Sequence, residues 1–255
     1  MLTKPLVQCL QESVQLVDCL INNIEAYHGE VKQKCKQIYM NGGDIPEKAD
    51  EQVFCGRYTH RETIDKTLEF IEFIICQAQK VVNTDQMLVT MGIENIKRLW
   101  ILFVNDPNFQ SDTTLFLNWI NKQRTHTTIQ IVNYQKKQYI YELFIFSEEE
   151  KKFLFESFLC NPDEVNAAQI SVALVKCFQK YFRLINISHQ FMLGHKNKIK
   201  VLHFSKLVGM DALWKMALFS QNEKAKEIAS ELLVSLHLKF DNQTAKIEHK
   251  QAVIN

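Results

Sequence analysis

Leu6, Leu10, Val14, Val17, Ile21, Ile24, Val31, Cys35 and Ile38 follow one another at steps of mostly three and four. That spacing puts side chains on one face of an α-helix. It predicts one long helix, or two broken near Gly29. Residues 41–49, with Gly42, Gly43 and Pro46, read as a loop. Thr59 and Glu62 have capping-box spacing, so a helix should begin at His60. Ile64, Leu68, Ile71, Ile75 and Ala78 then line its buried face. The next stripe, Leu88, Met91, Ile96, Leu99, Trp100 and Phe103, stops at Asn105-Asp106-Pro107, because Pro107 disfavours a helical residue before it. Ser111 suits the cap of a helix carrying Leu115, Trp119 and Ile120.

Between Thr128 and Phe146 two periods compete. Ile129, Ile131, Tyr139 and Tyr141 alternate as in a strand, while Ile131, Tyr134, Tyr141 and Phe144 suit a helix. Helix is preferred, since no partner strand is evident. Ser147 and Glu150 form a second capping box ahead of Phe153, Leu154 and Phe158. Asn161, Pro162 and Glu164 offer an N-cap, an N1 proline and a first-turn acid. They precede a stripe of Ala168, Val172, Val175, Gln179, Phe182 and Ile185. Residues 195–200 read as a basic, exposed loop. Two further helices follow, one with Leu207, Met210, Leu213, Trp214 and Ala217. The other carries Ala225, Ile228, Ala229, Leu232, Leu233 and Leu236, beyond a turn at Gln221-Asn222.

The helices group into pairs at roughly 40-residue intervals, the length of HEAT or armadillo units. Leu99-Trp100 and Leu213-Trp214 each sit late in a first helix, six to eight residues before a polar turn. One pair cannot bury its own apolar face, so stacked neighbours must do so. The expected fold is all-α, an armadillo/HEAT-like α-solenoid over residues 1–240. Residues 1–59 would form N-terminal helices, 60–240 the helix pairs, and 241–255 a polar, frayed tail. Terminal repeats need polar outer faces, and Lys224, Lys226 and Glu227 are expected to point outward on the last pair. A large apolar patch at either end would instead mark a truncated array.

Composition sharpens this picture. Only 7 Gly and 4 Pro occur in 255 residues, which favours long helices and few loops. With 30 basic and 29 acidic residues, the chain has no broad attraction for nucleic acid or an anionic membrane. No apolar run approaches the roughly 20 residues that span a bilayer, and the N-terminus has no signal-peptide core. Seven scattered cysteines without a CxxC pair read as reduced thiols, which places the chain in the cytoplasm or nucleus; the cytoplasm is preferred.

Candidate chemistry is sparse. Cys55 and His60 are the nearest local thiol–imidazole pair, yet an inert cysteine beside a surface histidine is the simpler reading. His189, His195 and His203 are six and eight apart with no acid between them, unlike a zinc set. Glu148, Glu149 and Glu150 suit a helix N-terminus without an acid–base role. Lys196, Lys198 and Lys200 read as a solvated loop, with nucleic-acid binding as the sharper alternative. Trp100, Trp119 and Trp214 lie on apolar stripes and are expected in the core. No phosphate-binding glycine motif is present. The sequence therefore yields no catalytic, cofactor-binding or metal residue.

HRETIDKTLEFIEFI (60–74), IENIKRLWILFVNDP (93–107), LFLNWINKQR (115–124), ISVALVKCFQKYFRLIN (170–186) and VGMDALWKMALFSQNEKAKEIASELLVSL (208–236) occur in this order. The stretch from His60 to Phe240 resembles the armadillo-like helical region of the very large fat-facets-type ubiquitin-specific proteases, with GMDALWKMAL its most specific piece. The likeness is weaker over 1–59, whose assignment it leaves open. In that family the region lies upstream of the protease domain and is regarded as a scaffold for partners or substrates. The family's protease domain carries a GNTCYxNS box and a later His box, and no cysteine of this chain has an Asn-Thr-Cys context. The resemblance thus implies a non-catalytic scaffold that binds protein partners, possible substrates of the ubiquitin pathway, without a small-molecule cofactor. A short paralogue, a truncated gene product or one piece of a complete deubiquitinase would each fit. A nucleic-acid-binding repeat is the remaining alternative.

Overall fold

The computed structural model describes residues 4–40, 54–55, 58–82, 90–104, 110–122, 146–161, 170–195 and 198–238. The chain divides into two compact units, Met1–Glu150 and Lys151–Asn255.

In the first unit, α1 runs unbroken over Lys4–Met40. It passes straight through Gly29, which is exposed, so the alternative of two helices is not realised. A two-residue hairpin follows, β1 (Phe54–Cys55) and β2 (Tyr58–Thr59), and leads into α2 (His60–Val82). Helix α2 starts where the capping box predicts. Glu62 accepts from the Thr59 N–H at 2.9 Å, and Thr59 Oγ1 accepts from the Glu62 N–H at 3.2 Å. Helices α1 and α2 pack together through two matched stripes. Val17, Ile21, Ile24, His28 and Val31 are buried on one, His60, Ile64, Leu68, Ile71 and Ile75 on the other.

Helices α3 (Ile93–Phe103) and α4 (Gln110–Lys122) complete the unit's core. Phe103 and Trp100 of α3 meet Phe116 of α4 at ring-centroid distances of 5.2 and 6.4 Å. Ser111 falls inside the first turn of α4 and does not precede it, because the helix already begins at Gln110. Helix α5 spans Glu148–Leu154 and continues as a π-helical turn, Phe155–Leu159. The loop expected at 41–49, Leu88, the Asn105–Pro107 stop and the ambiguous 128–145 segment lie outside the described residues.

The second unit is built on α6 (Val172–Ser188). Ser171 caps it by accepting from the Leu174 N–H at 3.2 Å. The Asn161-Pro162 start predicted for this stripe is not its cap, and 162–169 lie outside the described residues. Phe155, Phe178 and Phe182 form the unit's aromatic centre, with centroids 5.5 to 6.4 Å apart.

After α6 the chain leaves the helical pattern. Strands β3 (Met192–His195) and β4 (Lys198–Val201) pair antiparallel, so most of the stretch expected to be a basic loop is a hairpin. Its base is apolar: Met192 faces Val201, and both are fully buried. Burial of that pair fixes the register, because a slip of one residue would turn both outward.

A 3₁₀ turn (Phe204–Lys206) then leads to α7 (Met210–Phe219) and α8 (Glu223–Leu238). Ala212 and Ala217 of α7 and Ala225 and Ala229 of α8 are buried, and the two helices pack against each other. Asn222 accepts from the Ala225 N–H at 3.1 Å and starts α8, at the turn the sequence predicts.

Candidate functional site

Three polar constructions stand out against this apolar background, and each joins helices. In the first, Arg98 of α3 reaches α1. Its Nε and Nη2 bond Glu25 Oε1 and Oε2 at 2.8 and 2.5 Å, a two-pronged grip, and Nη2 also reaches Asn22 Oδ1 at 2.5 Å. Asn95, three residues back, donates to Asp18 Oδ1 at 2.6 Å. The bonded Glu25 carboxylate holds the Arg98 guanidinium above its ordinary range. About a third of each partner remains exposed, so solvent screens the pair.

The second is buried. His60 Nε2 lies 2.6 Å from Asp112 Oδ2, and His28 Nε2 lies 3.8 Å from the same oxygen. All three residues are fully buried, and they come from α2, α4 and α1. The Tyr27 ring stacks on His60 at 5.2 Å, and Phe103 meets His28 edge-on at 6.0 Å. An Asp–His pair is two-thirds of a nucleophilic triad, but a triad needs a nucleophile beside it and access for substrate. Cys19 lies nine residues from His28 on α1, roughly 13 Å along the axis. Cys76 lies sixteen residues from His60 on α2, roughly 24 Å away. With all three members sealed from solvent, the cluster ties three helices together.

The third is Glu150. Its Oε2 accepts from the Ser147 N–H at 2.7 Å, and Ser147 Oγ accepts from the Glu150 N–H at 3.1 Å, completing the predicted capping box of α5. Its other oxygen, Oε1, accepts from the N–H of Gly92, the N-cap of α3, and Thr90 adds a side-chain hydrogen bond. One carboxylate thus caps two helices. Burial pushes its acid above the ordinary carboxyl range despite these bonds. Glu148 and Glu149 are exposed.

Two of the described thiols are held in their protonated form. Burial drives the Cys177 thiol up to about 12, and burial likewise raises that of Cys160. A thiol so shifted stays protonated and is a poor nucleophile.

Several sequence expectations need correction. His60 is no surface histidine: it occupies a core position on the α2 stripe and pairs with Asp112. Cys55 lies in β1 opposite Tyr58. His189 is exposed and stacks on Phe191, His195 lies in β3, and His203 is half-buried ahead of the 3₁₀ turn. Trp100 and Trp119 are buried as expected, but Trp214 is 43% exposed and packs its edge on His237. Helix α7 buries the 212, 213, 216 and 217 positions, which turns 214 outward. Leu218, Phe219, Val234 and Leu238 are also exposed on α7 and α8, while Lys224 and Glu227 are exposed as expected and Lys226 is half-buried. Among the described residues, no group of three or more His, Cys, Asp or Glu is arranged to hold a metal, and no helix is long and apolar enough to cross a membrane.

The buried cluster went unread in the sequence, yet a signal existed. His28 falls between Ile24 and Val31 at stripe spacing, and His60 falls four before Ile64. A histidine in register with an apolar stripe must find a buried partner.

The helices themselves identify the chain. The sequence model of the UBP24/USP9X/USP9Y ARM repeat matches residues 1–186. The chain belongs to this family. The match begins at residue 1, so the UBP24/USP9X/USP9Y ARM repeat takes in α1, which the resemblance over 60–240 had left open. The matched domain is the repeat and not a protease domain. Ubiquitin carboxyl-terminal hydrolase 9Y of Mus musculus is 22% identical over 235 residues, covering 91% of this chain and 8% of the relative. The Homo sapiens protein of the same name is 21% identical over 251 residues, covering 98% of this chain and 8% of the relative. The chain therefore spans 8% of the length of these curated relatives.

Proposed function

We propose that this ARM-repeat chain is a non-catalytic scaffold that binds protein partners or substrates in the ubiquitin pathway, working in the cytoplasm. The family match over residues 1–186 carries the reading. The internal chemistry supports it, since the best-formed polar groups, Arg98, Asp112 and Glu150, are occupied in joining helices. A surface of stacked helices remains to do the work, as in other helical-repeat proteins. The test has two arms. Purified chain is incubated with a ubiquitin–fluorophore substrate, and cross-linked in cells for identification of neighbours by mass spectrometry. No cleavage and enrichment of ubiquitin-pathway proteins are expected. Cleavage would overturn the non-catalytic reading, and absence of such neighbours the scaffold reading. A fluorescent fusion confined to the nucleus would refute the cytoplasmic assignment.

A second reading, that these residues are one piece of a complete deubiquitinase, is favoured by the 8% coverage of the relatives. The apolar residues exposed on α7 and α8 also suit a further stacked helix pair. An open reading frame continuing past Asn255 into a GNTCY-type box would establish it.

A further inference from the structure

From Val165 to Met210 the chain has no Asp or Glu, while seven of its Lys and Arg fall in those 46 residues. Removing these seven from the chain's 30 basic residues leaves 23 against 29 acidic. The near-neutral total therefore conceals a segregated charge. On α6, Lys176, Lys180 and Arg183 stand at i, i+4 and i+7, one line along the helix. Lys176 and Arg183 are exposed and Lys180 is half-buried, whereas Leu174, Phe178, Tyr181 and Ile185 fill the opposite, buried face. Burial first, and the Lys151 ammonium nearby, lower the Lys180 ammonium to about 8. A carboxylate arriving there would favour its charged form.

The hairpin continues the same charge. Pairing sets Met192 and Val201 on one face and Leu193 and Lys200 on the other. Met192 and Val201 are buried, and Leu193 is 52% exposed, so the second face is the outer one. Among the described side chains it holds Lys200, half-buried, beside the exposed Leu193.

We propose that the cationic stripe of α6 and the outer face of the β3–β4 hairpin recognise an acidic protein segment, with Leu193 as an apolar foothold. The inference rests on the partner-binding reading above and adds the partner's chemistry. Two observations favour a protein over a nucleic acid. Outside this stretch the chain is net negative, which disfavours a long polyanion running past it. Among the described residues of α6 and the hairpin, no Trp, Tyr or Phe is exposed to stack a base.

Fluorescence anisotropy with the full chain tests this. The probes are a labelled peptide of Asp, Glu and Leu, the same peptide with Lys for its acids, and single-stranded RNA. The proteins are wild type, Lys176→Glu/Arg183→Glu and Lys198→Glu/Lys200→Glu. The acidic peptide should bind wild type, weaken by about tenfold in each double variant and weaken again with salt. The Lys peptide should not bind. No binding of the acidic peptide, equal binding by wild type and the α6 variant, or tighter binding of RNA would each overturn the proposal. If circular dichroism shows the hairpin variant unfolded, the α6 variant decides, because both its substitutions are at exposed positions. Cross-linking separates the two levels. Neighbours of wild type that persist in the α6 variant would leave the scaffold reading standing and refute this surface. Absence of neighbours from wild type itself would remove the scaffold reading, while the peptide titration still judges the surface.

Discussion

Replacing Glu150 by Gln exchanges one carboxylate oxygen for an amide nitrogen and leaves the shape unchanged. In the wild type, Oε2 receives the Ser147 N–H, Oε1 receives the Gly92 N–H, and Thr90 adds a hydroxyl. Gln keeps a single acceptor oxygen, so one backbone N–H must face an NH₂ group. A buried donor left without an acceptor costs about 1–3 kcal/mol. Loss of negative charge at the N-terminus of α3 adds about 0.3–1 kcal/mol, and the lower desolvation of an amide offsets part of this. The net expectation is a loss of about 1–3 kcal/mol. The pH dependence carries the sharper content. Because burial raises the folded-state pKa of Glu150, its contribution is complete below the unfolded value and declines as pH rises through the folded one. The gap between wild type and Glu150→Gln should therefore be wider at about pH 4 than at about pH 7.5. Urea unfolding in a Trp214→Phe background reads the first unit alone, since Trp100 and Trp119 both lie within it. A gap that widens towards neutral pH would show that the hydrogen bonds outweigh burial, and would refute the reasoning.

Gly29 lies exposed inside α1 with nothing within 4 Å of an added Cβ, so Gly29→Ala should stabilise the first unit by about 0.5–1 kcal/mol in the same unfolding assay. Gly209 has φ +91°, and a Cβ there would stand 2.7 Å from Phe155 Cζ. Gly209→Ala should cost about 2–4 kcal/mol, read from Trp214 fluorescence in the second unit; an unchanged midpoint would contradict the packing described. In native protein near neutral pH, iodoacetamide should label exposed Cys19 and spare Cys177, whose thiol burial drives up to about 12. Peptide mass spectrometry showing equal labelling would refute the burial of Cys177.

The helices were legible because their apolar residues recur at the helical period, and both capping boxes, Thr59–Glu62 and Ser147–Glu150, start helices where they should. The β3–β4 hairpin was not read. Lys196, Lys198 and Lys200 drew attention as charge, while the strand-like alternation Lys198-Ile199-Lys200-Val201 covers only four residues. Trp214 was misplaced because it lies about 100° round the helix from Leu213, and the core side of α7 is centred on the other side of Leu213, towards the buried Ala212 and Met216. The His28–His60–Asp112 cluster joins residues up to 84 positions apart, and only the stripe register of the two histidines hinted at it. The cationic stripe on α6 was present in the sequence as a run without acids, but its single face emerged only with the helix.

The Asn186 side chain donates to Val208 C=O at 3.1 Å and accepts from the Val208 N–H at 2.8 Å. It reads the N–H and C=O of this one residue much as one nucleobase reads another. The residues between are thereby looped out from a fixed base, and lengthening a loop costs only slowly with its size. Lineages could shorten, lengthen or replace the sequence between Asn186 and Val208 while α6 and the entry to α7 hold their registration. An engineer could graft a different recognition sequence at the same point, keeping Asn186 as the clasp.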